Sequence, residues 1–272
     1  MTLSPLARVA LRVFLGIVLL FLYVPLLLVL VNSFNASRVF AWPPENFTFS
    51  WWREALDNQG ARDALVESLK VATYATVIAL LLGTMISFAA ARYSWFGRES
   101  ISFLFVLPIA LPGIVTGVAL QNAFVNVLST DSFQITLGLL TVVIGHTTFC
   151  IVVIFNNVVA RLRRSAQSLE EASMDLGAST FQTFFHVTFP QIRSALLAGG
   201  LLAFGLSFDE IIVTQLTAGS GIKTLPIWIF ENLSRPNLAP IVNVVAALVI
   251  VISVIPVYIA QRLSDDPADS RV

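Results

Sequence analysis

The chain has 272 residues, of which 57% are hydrophobic and only 12% charged, and its mean hydropathy is +0.84. A soluble domain is roughly 45–50% apolar and about 25% charged, so this composition excludes a water-soluble globular protein and points to the membrane. The 16 basic and 16 acidic residues cancel, which leaves no bulk field to attract nucleic acid; the positions of the charges matter more than their sum.

Crossing a bilayer takes about 20 apolar residues of α-helix. Six stretches qualify, over 11–33, 65–91, 101–121, 137–160, 191–217 and 241–262. The first is too long for the apolar part of a signal peptide, and no small-x-small cleavage site follows it, so it is expected as a retained anchor. The loop 34–64 carries Trp42, Pro43, Pro44, Trp51 and Trp52. Such aromatics favour the membrane interface; a direct partner contact is the alternative. In the third span, Pro108 and Pro112 predict a kink. Gly113-Ile-Val-Thr-Gly117 has the spacing that lets helices approach closely, either within the chain or across a subunit boundary. Gln121 and Asn122 end that span, where a polar route and a plain helix end explain them equally.

The fourth span holds His146 beside Thr147 and Thr148, read as a hydrogen-bonded polar group within the membrane, and Cys150. As the only cysteine, Cys150 has no partner for an internal disulfide and is expected as a buried thiol. A polar insert over 161–190 separates the fourth span from the fifth. The fifth contains Asp209 and Glu210, the only acidic pair predicted deep in a span. At 1.5 Å per residue, Asp209 lies about 27 Å along a continuous helix from Gln191. Intramembrane carboxylates are expensive and face a cavity or a partner. Asp209 is therefore a candidate for lining a cation route, with Glu210, Thr214 and Gln121 as further candidates; the alternative is a carboxylate at the outer interface or paired across a subunit boundary. Leu225 to Phe230 reads as a short re-entrant or interfacial helix, and 265–272 as a frayed tail. With no appended soluble domain or internal repeat, 1–272 reads as one membrane domain.

Six spans put both termini on one side. That side carries Arg8, Arg12, Arg92, Arg98, Arg161, Arg163, Arg164, Arg193, Arg262 and Arg271, against Arg38, Arg53, Arg62, Lys70, Lys223 and Arg235 on the other. The excess places both termini and the insert in the cytoplasm.

Within the insert, Ser168-Leu-Glu-Glu171 and Ser179-Thr-Phe-Gln182 have the form of capping boxes. Glu170 and Glu171 suit the positive end of a helix. Leu169, Ala172 and Leu176 make one narrow apolar face. Gly177 stands where a left-handed residue ends a helix, and Pro190 opens the fifth span. Two short helices joined at a glycine are expected, both too short to be stable alone in water.

Neither ATP chemistry nor catalysis is legible. Gly219-Ser-Gly-Ile-Lys-Thr224 fails as a phosphate loop, because Ile222 and Thr217 occupy the positions that require glycine. His146 and His186 belong to no metal-ligand spacing.

Glu171-Ala-Ser-Met-Asp-Leu-Gly177, nine residues and Val-Thr-Phe-Pro190 resemble the EAA loop of ABC importer permeases: Glu-Ala-Ala, three residues, Gly, nine residues, Ile-x-Leu-Pro. Ser173, Val187 and Phe189 are small or apolar exchanges within it. Together with Ile109-Ala-Leu-Pro-Gly-Ile-Val-Thr-Gly117, Leu206-Ser-Phe-Asp-Glu-Ile-Ile-Val-Thr214 and Thr224-Leu-Pro226, the chain is similar to the second permease of spermidine/putrescine-type importers over nearly its whole length. The resemblance implies an all-α, six-span type I importer permease fold in the bacterial inner membrane. It implies that Glu170, Glu171, Ala172, Ser173, Asp175, Leu176, Gly177 and Pro190 form an ATPase-coupling loop. It further implies a homologous second permease, two copies of an ABC ATPase that binds ATP and Mg, and an external solute-binding protein, all within membrane lipid. No cofactor is expected in this chain. A permease of the same family for another small solute, a self-contained secondary transporter or channel, and an integral membrane enzyme are the rival readings.

Overall fold

Ser4 starts the first helix, α1 (Pro5–Asn32), its hydroxyl accepting from the Ala7 amide at 3.3 Å. Pro5 follows at a position whose amide would have no partner. The structure is a computed structural model and describes residues 4–38, 42–44, 46–93, 111–130 and 132–264. After α1 come α2 (Ser50–Asp57), α3 (Gln59–Arg92), α4 (Gly113–Asn122) and α5 (Leu139–Arg164), then α6 (Ser168–Asp175), α7 (Thr180–Phe208), α8 (Ile212–Thr217), α9 (Leu225–Asn232) and α10 (Ala239–Ser264). A π-turn, Ala123–Val127, extends α4.

Of these, α1, α3, α5 and α7 are long and apolar enough to cross a membrane, and Gly113–Val127 and Ala239–Val254 are shorter apolar helices. They overlap the six expected stretches, of which 191–217 is interrupted between Phe208 and Ile212. The residues 101–110 of the third span, the kink expected at Pro108 and the tail 265–272 lie outside the described residues. Pro112 does not kink a helix interior: it precedes α4, with extended backbone, as the helix cap. Without an amide hydrogen and with its ring against the preceding turn, proline suits a helix start.

The described residues fall into two compact units. One draws on 1–62 and 228–255, the other on 63–227 and 256–272. In the first, α1 is apolar on all sides and none of its most apolar window is buried, as a helix solvated by lipid or a neighbouring subunit requires. The tryptophan-rich loop packs largely on itself. Trp51 is buried and its indole N–H donates to the Asn35 carbonyl at 3.0 Å, while Trp52 stacks on Phe34 with ring centroids 5.0 Å apart. Trp42 remains exposed.

The second unit is built around α5, 61% of whose apolar window is buried, against 33% for α3 and 22% for α7. Phe149, Cys150, Ile154, Val158 and Leu162 of α5 form one core with Ala79, Ile192, Ala203 and Val213. Cys150 is fully buried and its thiol points at the Ala203 carbonyl, 3.4 Å away. The Gly113/Gly117 spacing serves packing within the chain. A Cβ on Gly117 would lie 2.6 Å from Leu216 Cδ1, and one on Gly113 3.8 Å from Ile212. The missing side chains thus let α8 lie against α4.

Candidate functional site

Arg161, Arg163 and Arg164 occupy the last turn of α5, where cations complement the helix dipole. The chain then turns through Ser165, whose hydroxyl bonds the Gln191 side chain, while Arg161 Nε donates to the Gln191 carbonyl at 2.8 Å. Helix α6 follows. Its cap is Gln167, not Ser168, and no side chain completes a capping box there. Ser168 has already joined the helix; the Glu171 amide bonds the Gln167 carbonyl at 3.2 Å, and Gln167 Nε2 reaches the Glu171 carboxylate at 3.2 Å. The first expected capping box is corrected accordingly: the helix begins one residue earlier, so Ser168 has no free amide opposite its hydroxyl.

The C-terminus follows the expectation. Gly177 has φ +90°, its amide bonds the Met174 carbonyl at 2.9 Å and the Ala178 amide bonds that of Ser173 at 3.1 Å. This paired closure needs a left-handed residue, a conformation glycine enters without Cβ strain. The second capping box is also present: Ser179 Oγ accepts from the Gln182 amide at 3.3 Å, and Gln182 Oε1 accepts from the Ser179 amide at 2.8 Å.

The second short helix is not separate, however. It is the first turn of α7, which runs unbroken from Thr180 to Phe208. Phe184–Thr188 forms a π-turn, with the Phe189 amide on the Phe184 carbonyl. A proline in a helix interior lacks its amide and crowds the carbonyl four residues back. The wider turn immediately before Pro190 takes up that misfit, so Pro190 lies inside a continuous helix rather than at its start.

Two faces of α6 behave differently. On one, Glu170 Oε1 meets Arg92 Nη2 at 2.7 Å, and Arg92 Nη1 donates to the Leu162 carbonyl at 3.2 Å. Three residues on, Ser173 Oγ lies 3.1 Å from Thr183 Oγ1. Positions three apart share a helix face, so Glu170 and Ser173 pin α6 to α3 and α7. The other face is open. Glu171, Ala172 and Asp175 are exposed, as are Leu169, Met174 and Leu176, the last at 90%. The sequence grouped Glu170 with Glu171; the structure divides them between anchor and surface.

Asp209 and Glu210 are not held within a continuous helix. Helix α7 stops at Phe208 with Asp209 as its cap, and α8 starts at Ile212. The depth reckoned from Gln191 still holds for Asp209, whose amide bonds the Gly205 carbonyl at 3.2 Å as the helix cap, but it does not extend past the break to Thr214. Glu210 is spoken for locally: its Oε1 accepts from the Val213 amide at 2.9 Å, satisfying a donor at the start of α8. Asp209 is exposed. Thr214, expected beside them on the route, is instead fully buried, its hydroxyl donating to the Glu210 carbonyl at 2.9 Å and meeting His146 Nε2 at 2.8 Å. Gln121 is half-buried near the end of α4. His146 is the hydrogen-bonded group expected, but its partners, Ser207 and Thr214, are 61 and 68 residues away, beyond any sequence pattern.

Residues 79–266 match the family described as binding-protein-dependent transport system inner membrane component. The chain is 34% identical to the putrescine transport system permease protein PotI of Escherichia coli K12, covering 85% of this chain and 82% of that one. To the spermidine/putrescine transport system permease protein PotC of Haemophilus influenzae it is 29% identical, over 92% and 95% of the two chains. A solved bacterial ABC transporter involved in alginate import superposes with a TM-score of 0.69 at 18% identity, over 98% of this chain and 99% of that one. That likeness carries the fold and, at such identity, nothing of the solute. The chain is thus a member of the binding-protein-dependent transport system inner membrane components, with the all-helical, multi-pass permease fold of ABC importers.

Proposed function

We propose that this chain is the permease subunit of an ATP-driven importer of polyamines, putrescine and spermidine among them, and that α6 receives the stroke of a partner ATPase. The observation that carries this reading is the division of α6 into a pinned face and an open one. Glu170 and Ser173 fix the helix to its own subunit, while Leu169, Glu171, Ala172 and Leu176 present an apolar and acidic surface that is costly to leave bare. A helix held on one side and covered by a partner on the other transmits a rigid-body displacement.

The arginines at the end of α5 support a cytoplasmic position for this surface and for both termini. The ATPase, present in two copies, supplies ATP and Mg there. The bare flank of α1 suits lipid or a homologous second permease. An external binding protein delivers the solute, and Asp209, exposed at the break between α7 and α8, offers a carboxylate to its ammonium groups. The relatives named for putrescine and spermidine support the choice of solute. Transport, not covalent chemistry, is the role of this chain.

The test is uptake of radiolabelled putrescine and spermidine, with solute-stimulated ATP hydrolysis, by the reconstituted complex, wild type beside Glu171→Ala. Uptake that needs ATP and collapses in the variant is expected. Coupled ATP hydrolysis without polyamine uptake would keep the importer and discard the solute. Uptake by this chain alone would overturn the reading.

A further inference from the structure

The break between α7 and α8 is bridged by one side chain from a third helix. His146 of α5 is fully buried and uses both ring nitrogens. Nδ1 lies 2.7 Å from Ser207 Oγ, in the last turn of α7, and Nε2 lies 2.8 Å from Thr214 Oγ1, in α8. One assignment of the hydrogens satisfies all three contacts at once. Thr214 has one hydroxyl proton, and it goes to the Glu210 carbonyl at 2.9 Å. Its oxygen therefore accepts from His146, which puts the ring proton on Nε2. Nδ1 is then bare and accepts the Ser207 hydroxyl. The three bonds run in one direction, from Ser207 through the imidazole and Thr214 to the carbonyl of Glu210, the residue next to Asp209.

The rest of α8 is held separately. The Thr141 hydroxyl lies 2.7 Å from the Thr217 carbonyl at its far end, and the Glu210 carboxylate accepts from the Val213 amide. Loss of the imidazole bridge would release the break and leave α8 attached.

We infer that His146, Ser207 and Thr214 form a positioning relay that sets the geometry of the 209–211 break and so the direction in which Asp209 meets the solute. None of the three need touch solute; they act through the backbone of residues 208–211. The inference rests on the reading of Asp209 as a solute contact, and the experiment has an arm that does not.

Thr214→Val keeps the shape and removes the hydroxyl; Thr214→Ser keeps the hydroxyl. In cells lacking other polyamine uptake and expressing the complete complex at equal membrane levels, KM for radiolabelled putrescine should rise about tenfold in Thr214→Val, equivalent to about 1.4 kcal/mol, with a smaller fall in Vmax. Thr214→Ser should restore it. An unchanged KM in Thr214→Val where Asp209→Asn raises KM, or equal loss in Thr214→Val and Thr214→Ser, would overturn the relay. The second arm places a probe at the break, Asp209→Cys in a Cys150→Ala background, and follows its modification by a cationic thiol reagent. Adding Thr214→Val should change the labelling rate several-fold, and an unchanged rate would overturn the relay whatever the solute. If labelling responds while Asp209→Asn keeps the wild-type KM, the relay stands and Asp209 as a solute contact falls.

Discussion

Arg92 and Glu170 meet at 2.7 Å across 78 residues of sequence, with only 11% and 15% of their side chains exposed. Arg92 is the last residue of α3, and Glu170 lies in the first turn of α6. Displacement of α6 is therefore transmitted to α3 through a charge-assisted bond as well as along the chain to α5. A charge left in that shielded place without its partner is costly.

Glu170→Ala should loosen α6 and reduce solute-stimulated ATP hydrolysis while binding of the ATPase persists, since Glu170 belongs to the pinned face. A double-mutant cycle with Arg92→Ala should give a coupling energy of roughly 1–3 kcal/mol in thermal unfolding of the purified complex. Additive single-site effects would show that the pair is incidental.

Leu176 offers the opposite case. At 90% exposure it contributes almost nothing to the folding of this chain, so Leu176→Ser should change the unfolding free energy of the isolated permease by no more than ordinary surface changes do, about ±0.5 kcal/mol. Retention of the ATPase subunit on the affinity-purified permease should fall sharply. Undiminished retention would remove Leu176 from the docking face.

Gly177 has open space around its Cα, so Gly177→Ala introduces no clash. Its φ of +90° is nevertheless strained for any residue with a Cβ, by roughly 1–2 kcal/mol. Alanine should loosen the α6 terminus, and asparagine, which enters left-handed conformations more readily, should be milder. Hydrogen exchange of the Gly177 and Ala178 amides reads this directly: faster exchange in the order Gly, Asn, Ala is expected.

Gly117 tests packing rather than backbone. A Cβ there meets Leu216 at 2.6 Å, so Gly117→Ala should destabilise the complex by about 1–3 kcal/mol, as overpacking does. Leu216→Ala in the same chain should recover most of the loss in a thermal-unfolding measurement. No recovery would mean that Gly117 serves another contact.

The sequence by itself determined what depends on neighbouring residues. Unbroken apolar runs of about 20 residues read as helices, because lipid leaves the backbone only internal partners and the runs lack the alternation of a barrel strand. The Gly177 turn and the Ser179 capping box were legible because each motif closes within six residues. The resemblance of the insert to a coupling loop was visible because it is a local pattern of spacing. Only the tertiary structure decided which of two adjacent glutamates is anchored, since that depends on Arg92 of a different helix. It also decided that α7 runs through Pro190 and stops at Asp209. Proline and paired carboxylates mark both places, but whether a helix bends, widens or breaks there depends on which neighbours satisfy the freed backbone groups. At the break after Asp209 the Thr214 hydroxyl takes the Glu210 carbonyl and the Glu210 carboxylate takes the Val213 amide, while His146 ties Thr214 to Ser207 through the packing of α5 against α7 and α8.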